Sequence, residues 1–77
     1  MPNRSLKMKK LVKGAKMGDA KRMYLLGICY ELGDGVECDM EEAAYWISRS
    51  AALGYAPAEE WMRDYYSDDD PLTQAYS

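Results

Sequence analysis

Apolar residues recur along the chain at spacings of three and four, which is the period of an amphipathic helix. No segment shows the strict apolar–polar alternation that is typical of a strand. Gly18, Gly33 and Gly54 each follow an apolar stretch, at the place where a helix usually ends. The pattern therefore predicts an all-α protein with four helices. The predicted helices are 6–17, 20–32, 39–53 and 57–67.

Residues suited to helix N-termini support these predicted starts. Ser5 and Asp19 are suitable N-caps for the first and second helices. Asp39 and Glu42 fit the capping-box pattern, in which the side chain of each binds the backbone N–H of the other. Pro57 suits the first turn of the fourth helix, where its missing N–H costs nothing.

Length and composition indicate one small domain over residues 1–70. The chain has 77 residues, 48% of them hydrophobic, which is enough for a single core and too apolar for a disordered chain. Three acids at 68–70 oppose the dipole at the end of the fourth helix, and a proline follows them. Residues 71–77 are therefore expected to form a flexible tail.

The residue types present disfavour catalysis and metal binding. Histidine, which is the commonest general base and neutral metal ligand, is absent. Cys29 and Cys38 form no CxxC motif and are expected to be reduced thiols. We predict no catalytic residue, no metal and no cofactor. No stretch resembles a transmembrane helix or a signal peptide, so a cytoplasmic location is expected.

A shift of 36 residues aligns the first half of the chain with the second. Identical residues then coincide at helix-packing and helix-ending positions. The pairs are Ala15 with Ala51, Gly18 with Gly54, Ala20 with Ala56 and Tyr30 with Tyr66. A period in the thirties with two helices per unit is typical of solenoid repeats, whose units bury their apolar faces by stacking.

Residues 18–54 carry a longer pattern of small, aromatic and capping positions. Its members are Gly18, Asp19, Ala20, Leu26, Gly27, Tyr30, Gly33, Asp34, Gly35, Val36, Asp39, Glu42, Ala43, Trp46, Ala51, Ala52 and Gly54. In this order and spacing they resemble the Sel-one-like repeat (SLR), a subclass of the tetratricopeptide-like helical repeats. The resemblance implies a short α/α superhelix of about two helix-turn-helix units, with core repeat 18–54 and capping helices at 5–17 and 57–67. Arg22, Glu60 and Arg63 depart from the family pattern, and polar residues of this kind suit a terminal helix.

The second helix is apolar on two sides. One side carries Leu25, Ile28, Cys29 and Leu32. The first helices of tetratricopeptide-like units line a concave surface, so the resemblance implies a shared binding groove. Its residues would be Leu25, Ile28, Cys29, Leu32, Trp61 and Tyr65. Trp and Tyr are typical binding anchors. Alternatively, the first helix or a second copy of the chain covers this face.

Charge is divided along the chain. Residues 1–22 hold eight of the ten basic side chains and one acid, whereas residues 23–77 hold two bases and twelve acids. The basic patch in the first helix is Lys7, Lys9, Lys10, Lys13 and Lys16. This patch is interpreted as a solvated helix face, as a surface for an acidic protein, or as a contact for nucleic acid. No aromatic residue lies among the lysines, which disfavours nucleic acid.

These observations favour a protein–protein interaction module, such as an adaptor, scaffold or blocking subunit, with another protein as its partner and no membrane association. Two alternatives stay open. One is polyanion binding through the lysines, which would depend steeply on salt. The other is head-to-tail self-association, since a basic start and an acidic end attract each other.

Overall fold

The structure, a computed structural model, describes residues 2–66 in their backbone and residues 6–66 in their side chains. The described residues form four helices and no strand. The helices are α1 (Pro2–Lys16), α2 (Ala20–Leu32), α3 (Met40–Ala52) and α4 (Ala56–Tyr65). The predicted all-α class with four helices is therefore confirmed, whereas the expected tail at 71–77 lies outside the described residues.

The helix boundaries reproduce the predicted repeat. α1 and α3 end 36 residues apart, and α2 and α4 begin 36 residues apart. Gly18 and Gly54, which follow α1 and α3, have closely similar φ angles of 93° and 89°. This left-handed conformation favours glycine, because a Cβ atom would be strained there. The two halves of the chain thus repeat one helix–turn–helix plan.

Two predicted details of the helix starts are wrong. α1 begins at Pro2, so Ser5 lies inside the helix and is not its N-cap. A proline is compatible with this earlier start, because the first helical N–H has no partner within the helix. At α3, Asp39 caps the backbone N–H groups of Glu41 and Glu42 as predicted. However, the N–H of Asp39 donates to the carbonyl of Tyr30 and not to Glu42, so the capping box is only half formed.

The core between α1 and α2 extends under the loop that leads to α3. Its buried residues are Met8, Leu11, Ala15, Met23, Leu26 and Cys29. Val36 packs against this cluster from the loop. Gly33 and Gly35 have φ angles of 70° and 81°, which lets the chain turn tightly enough to bring Val36 inward.

α2 and α3 cross closely at a glycine. A Cβ atom placed on Gly27 would clash with the Ile47 side chain and lie 2.9 Å from the Ala43 carbonyl oxygen. Beside this contact, the buried Ser50 hydroxyl donates to the Ala20 carbonyl at 2.6 Å. The missing side chain at Gly27 and the small side chain at Ala43 therefore let α2 and α3 approach closely. α4 packs against α3, and its Ala58 is fully buried.

Candidate functional site

Trp61 links α4 to α2 on the surface of the protein. Its half-buried indole donates from Nε1 to Oε1 of Glu31 at 3.0 Å. One turn later on α4, the Tyr65 ring lies nearly parallel to the indole, with centroids 4.7 Å apart and planes at 20°. The indole is thus contacted at its Nε1 atom by Glu31 and on its ring by Tyr65.

A shallow cavity lies on each side of Trp61. The first is a recess of about 390 Å³ between α2 and α4, and it is lined by Tyr24, Pro57, Glu60, Trp61 and Asp64. The second, of about 270 Å³, is lined by Glu31, Trp61, Asp64 and Tyr65. Together these residues form a surface that we name the α2–α4 groove. It combines accessible aromatic rings with three carboxylates.

Tyr24 and Tyr55 support one wall of the α2–α4 groove. Their rings lie 5.5 Å apart with planes tilted by 58°. Tyr55 is the residue immediately before α4, so this ring contact fixes the start of α4 against α2. Such aromatic pairs contribute about 0.5–1.5 kcal/mol beyond the area they bury.

The structure brings together some of the predicted groove residues and separates others. Trp61 and Tyr65 are in contact, as the predicted groove requires. Leu25 and Leu32 are exposed, and Ile28 is half-buried, but none of the three lines either cavity beside Trp61. The predicted placement of Cys29 in the groove is wrong: it is 5% exposed, in the core against α1. The side of α2 that carries Cys29 is the side that α1 covers.

Tyr24 and Glu31 lie in the groove although they are not among the residues predicted for it. They are seven residues apart on α2 and share one side of that helix. The signal that could have found this side is Glu31, which is the single acidic residue within the apolar α2. An isolated acidic residue in an apolar helix indicates which side of that helix remains exposed to solvent, and in α2 this side faces Trp61 of α4.

The groove carboxylates lack cationic partners within the described part of the chain. The described residues contain an ion pair elsewhere: Lys7 Nζ on α1 lies 2.7 Å from Asp34 Oδ2 in the loop after α2. Glu31, Glu60 and Asp64 form no such pair among residues 6–66. The α2–α4 groove is therefore an acidic aromatic surface.

The five lysines of the predicted basic patch are exposed but do not form one surface. Lys9, Lys13 and Lys16 lie with Met17 along one side of α1. Lys7 and Lys10 lie on another side, near Arg22. The pair with Asp34 also raises the pKa of Lys7, first through a side-chain hydrogen bond and then through the negative charge of the carboxylate.

The two cysteines occupy different environments, and both are free thiols. Burial raises the pKa of Cys29 above its ordinary value. Cys38 is exposed, and its Sγ donates to the Glu31 carbonyl at 3.3 Å. Among the described residues, no group of three or more His, Cys, Asp or Glu side chains is placed to hold a metal ion. No described helix is long and apolar enough to cross a membrane.

The fold and the groove define the class: a small all-α protein built from two similar helix hairpins, with an aromatic surface groove. The chain is 42% identical over 53 residues to DAP3-binding cell death enhancer 1 of Rattus norvegicus. It is 38% identical, also over 53 residues, to the Mus musculus protein of the same name. The match spans 69% of this chain but only 10% of the length of each relative.

No family model matches the chain, and no solved structure matches it. The resemblance to the Sel-one-like repeat therefore stays a prediction. What the structure itself supports is the 36-residue helical repeat on which that resemblance partly depends.

Proposed function

We propose that this chain is a non-catalytic protein-binding module that holds its partner in the α2–α4 groove. The observation that carries the proposal is the environment of the Trp61 side chain. It is half-buried, hydrogen-bonded to Glu31, stacked on Tyr65 and flanked by a cavity on each side. A large aromatic side chain that is already ordered loses little conformational entropy when a partner covers it. Such residues dominate the energetics of protein interfaces.

The helical repeat supports the same proposal from the level of the fold. Under the Sel-one-like resemblance, α2 and α4 are the first helices of successive units. In that class of repeat the first helices line the concave surface. The α2–α4 groove lies between these same two helices, and it shares Trp61 and Tyr65 with the groove that the resemblance implies.

The two relatives supply the first candidate partner. Both are named for binding DAP3, and both share with this chain a segment of 53 residues. We propose DAP3 as the first protein to test. Because this chain spans a tenth of the relatives' length, the test uses this chain itself and not a relative.

The basic patch on α1 supports polyanion binding less well than the α2–α4 groove supports protein binding. Lys7 is paired with Asp34, and the remaining lysines divide between two sides of α1. Binding to a nucleic-acid backbone gains from several cations that contact phosphates along one surface. The arrangement on α1 offers no such row of five.

The proposal is tested by measuring the binding of purified DAP3 to the immobilised chain. Wild type is compared with Trp61→Ala and with Tyr45→Ala. Tyr45 provides the control, because it is an exposed aromatic residue on α3 and lies outside the groove. Trp61→Ala is expected to weaken binding by at least about tenfold, and Tyr45→Ala by less than about twofold. Circular dichroism verifies that both variants keep their helices.

Equal affinity of wild type and Trp61→Ala would contradict the assignment of the groove. If wild type does not bind DAP3 at all, DAP3 is excluded as the partner. Proteins that wild type captures from a lysate would then be tested with the same two variants. Capture that Trp61→Ala leaves unchanged would again contradict the groove.

A further inference from the structure

We propose that the α2–α4 groove recognises an arginine side chain of the partner protein. This inference rests on the proposed function, because it specifies what the groove would bind. The groove places an aromatic stack next to carboxylates, and the described part of the chain supplies no cation to either. A guanidinium group satisfies both halves of this arrangement at once.

The aromatic half is the pair formed by Trp61 and Tyr65. On α3, the exposed Tyr45 and the half-buried Trp46 already share a cation: the Arg49 guanidinium lies 5.5 Å from the Tyr45 centroid and 6.0 Å from the Trp46 centroid. No described cation lies over Trp61 or Tyr65 in this way. An aromatic face attracts a cation within about 6 Å of its centroid, and Trp is the strongest such face.

The acidic half consists of Glu60 and Asp64, which lie on α4 in successive turns, and Glu31 on α2. Asp64 lines the cavities on both sides of Trp61. Glu60 lines the first cavity and Glu31 the second. A cation in either cavity would therefore lie next to the indole and near two carboxylates.

Arginine fits this geometry better than lysine does. The planar guanidinium of arginine stacks on an aromatic ring, and its N–H groups, which lie in the guanidinium plane, remain free to donate to a carboxylate at its edge. Lysine has a compact, strongly hydrated ammonium that stacks poorly. Citrulline has nearly the shape of arginine without its charge, so a comparison of the three separates charge from shape.

The experiment begins with a random peptide library selected on the wild-type protein. The best peptide is then remade with each arginine replaced by lysine or by citrulline, and its affinity is measured by fluorescence anisotropy. We expect the selected peptides to contain arginine. We expect affinity to fall about threefold or more with lysine and at least about tenfold with citrulline.

The protein variants are Glu60→Gln/Asp64→Asn and the control Glu41→Gln/Glu59→Gln, which removes the same charge. Glu59 is the neighbour of Glu60 on α4 and lines neither cavity, and Glu41 lies on α3. The first variant is expected to lose at least about tenfold in affinity, and the control less than about twofold. Equal losses in both variants would mean that net charge alone attracts the peptide, and would overturn the proposal.

Other outcomes identify a different occupant. Selection of peptides without arginine, or equal affinity for the arginine and citrulline forms, overturns the proposal. Concentration-dependent dimerisation that Glu60→Gln/Asp64→Asn abolishes would show that a second copy fills the groove, and would also overturn it. If a protein partner needs Trp61 but is unaffected by Glu60→Gln/Asp64→Asn, the protein-binding function stands and the arginine inference fails.

Discussion

At the scale of single residues, the contact at Gly27 sets how closely α2 and α3 approach. Its missing side chain leaves room for Ile47 and for the Ala43 carbonyl. Gly27→Ala gains up to about 1 kcal/mol of helix propensity but forces these groups apart, which costs about 1–3 kcal/mol. We expect a net loss in the free energy of unfolding, measured by urea denaturation.

Gly14→Ala is the control for this prediction. Gly14 also lies inside a helix, but a Cβ atom there would meet the exposed side chain of Arg22, at 2.8 Å from its Cγ and Cδ atoms. The Cγ and Cδ atoms can rotate away, but the Arg22 Cβ atom, at 3.1 Å, moves only with the α2 backbone. Gly14→Ala should therefore cost less than Gly27→Ala, whose neighbours are a fully buried side chain and a backbone carbonyl. If Gly27→Ala is as stable as Gly14→Ala, the close crossing of α2 and α3 is not a constraint on the fold.

The two thiols should differ in reactivity because the thiolate is the reactive form. Cys29 is buried, and burial raises its pKa, whereas Cys38 is exposed. We expect an alkylating reagent at pH 8 to modify one cysteine in the folded protein and two in urea. Mass spectrometry counts the labels, and Cys38→Ser should reduce the folded count to zero. Rapid double labelling without urea would contradict the burial of Cys29.

Because burial raises the pKa of Cys29, the free energy of unfolding should decrease at high pH. This pKa is higher in the folded than in the unfolded chain, so the unfolded chain loses this proton first as pH rises. The contribution of Cys29 to the free energy of unfolding is therefore fully present below the pKa of an unfolded thiol, about 8.5, and it is lost as pH rises through the pKa of the folded state. The labelling rate of Cys29 should accordingly increase above pH 8 by more than the growth of thiolate alone explains.

At the scale of helices, the N-caps at Asp39 and Asp19 have different geometries. Asp39 accepts from two backbone N–H groups, at 3.0 and 3.2 Å, and its own N–H ties α3 to the last turn of α2. Asp19 accepts from one, at 3.2 Å. Asp39→Ala should therefore cost about 1–2 kcal/mol of unfolding free energy and Asp19→Ala less. Chemical denaturation compares them, and a greater loss for Asp19→Ala would contradict the ranking.

The helices were predictable because their signals are local in the sequence. Glycines at helix ends, Asp19 and Asp39 as caps and the apolar period each depend on residues a few positions apart. The start of α1 was misplaced because Pro2 and Ser5 are both acceptable near a helix start, and the sequence alone does not choose between them. Local signals thus determined the type and number of the helices better than their ends.

The groove was less predictable because it depends on how α4 is rotated against α2. Adjacent residues on a helix differ by about 100° in direction, so a small error in rotation exchanges one set of lining residues for another. The sequence pattern predicted Leu25 and Cys29 in the groove, whereas the structure places Tyr24 and Glu31 there. Trp61 and Tyr65, which the 36-residue register matches to Leu25 and Cys29, do lie in contact with each other beside the two cavities.

At the scale of the whole molecule, the repeat suggests how copies of the chain could stack, with α4 of one copy packed on α1 of the next as α2 packs on α3. In that arrangement the 36-residue register puts Arg63 at the position of Gly27 and Lys7 at the position of Ala43. The close crossing of α2 and α3 has no room even for a Cβ atom at Gly27. A long cationic side chain opposite a second cation would therefore oppose head-to-tail association, in spite of the opposite net charges of the two ends.

We accordingly expect sedimentation equilibrium to show a monomer across the micromolar range at both low and high salt. Lys7→Ala/Arg63→Gly should restore small residues at this junction between copies and increase association, because it removes both the bulk and the like charge. Lys9→Ala/Arg49→Gly removes equal charge elsewhere and serves as the control. Salt-sensitive oligomers of wild type would instead support the charge-driven self-association that the sequence left open, since attraction between the basic and acidic ends would then exceed the cost of this junction.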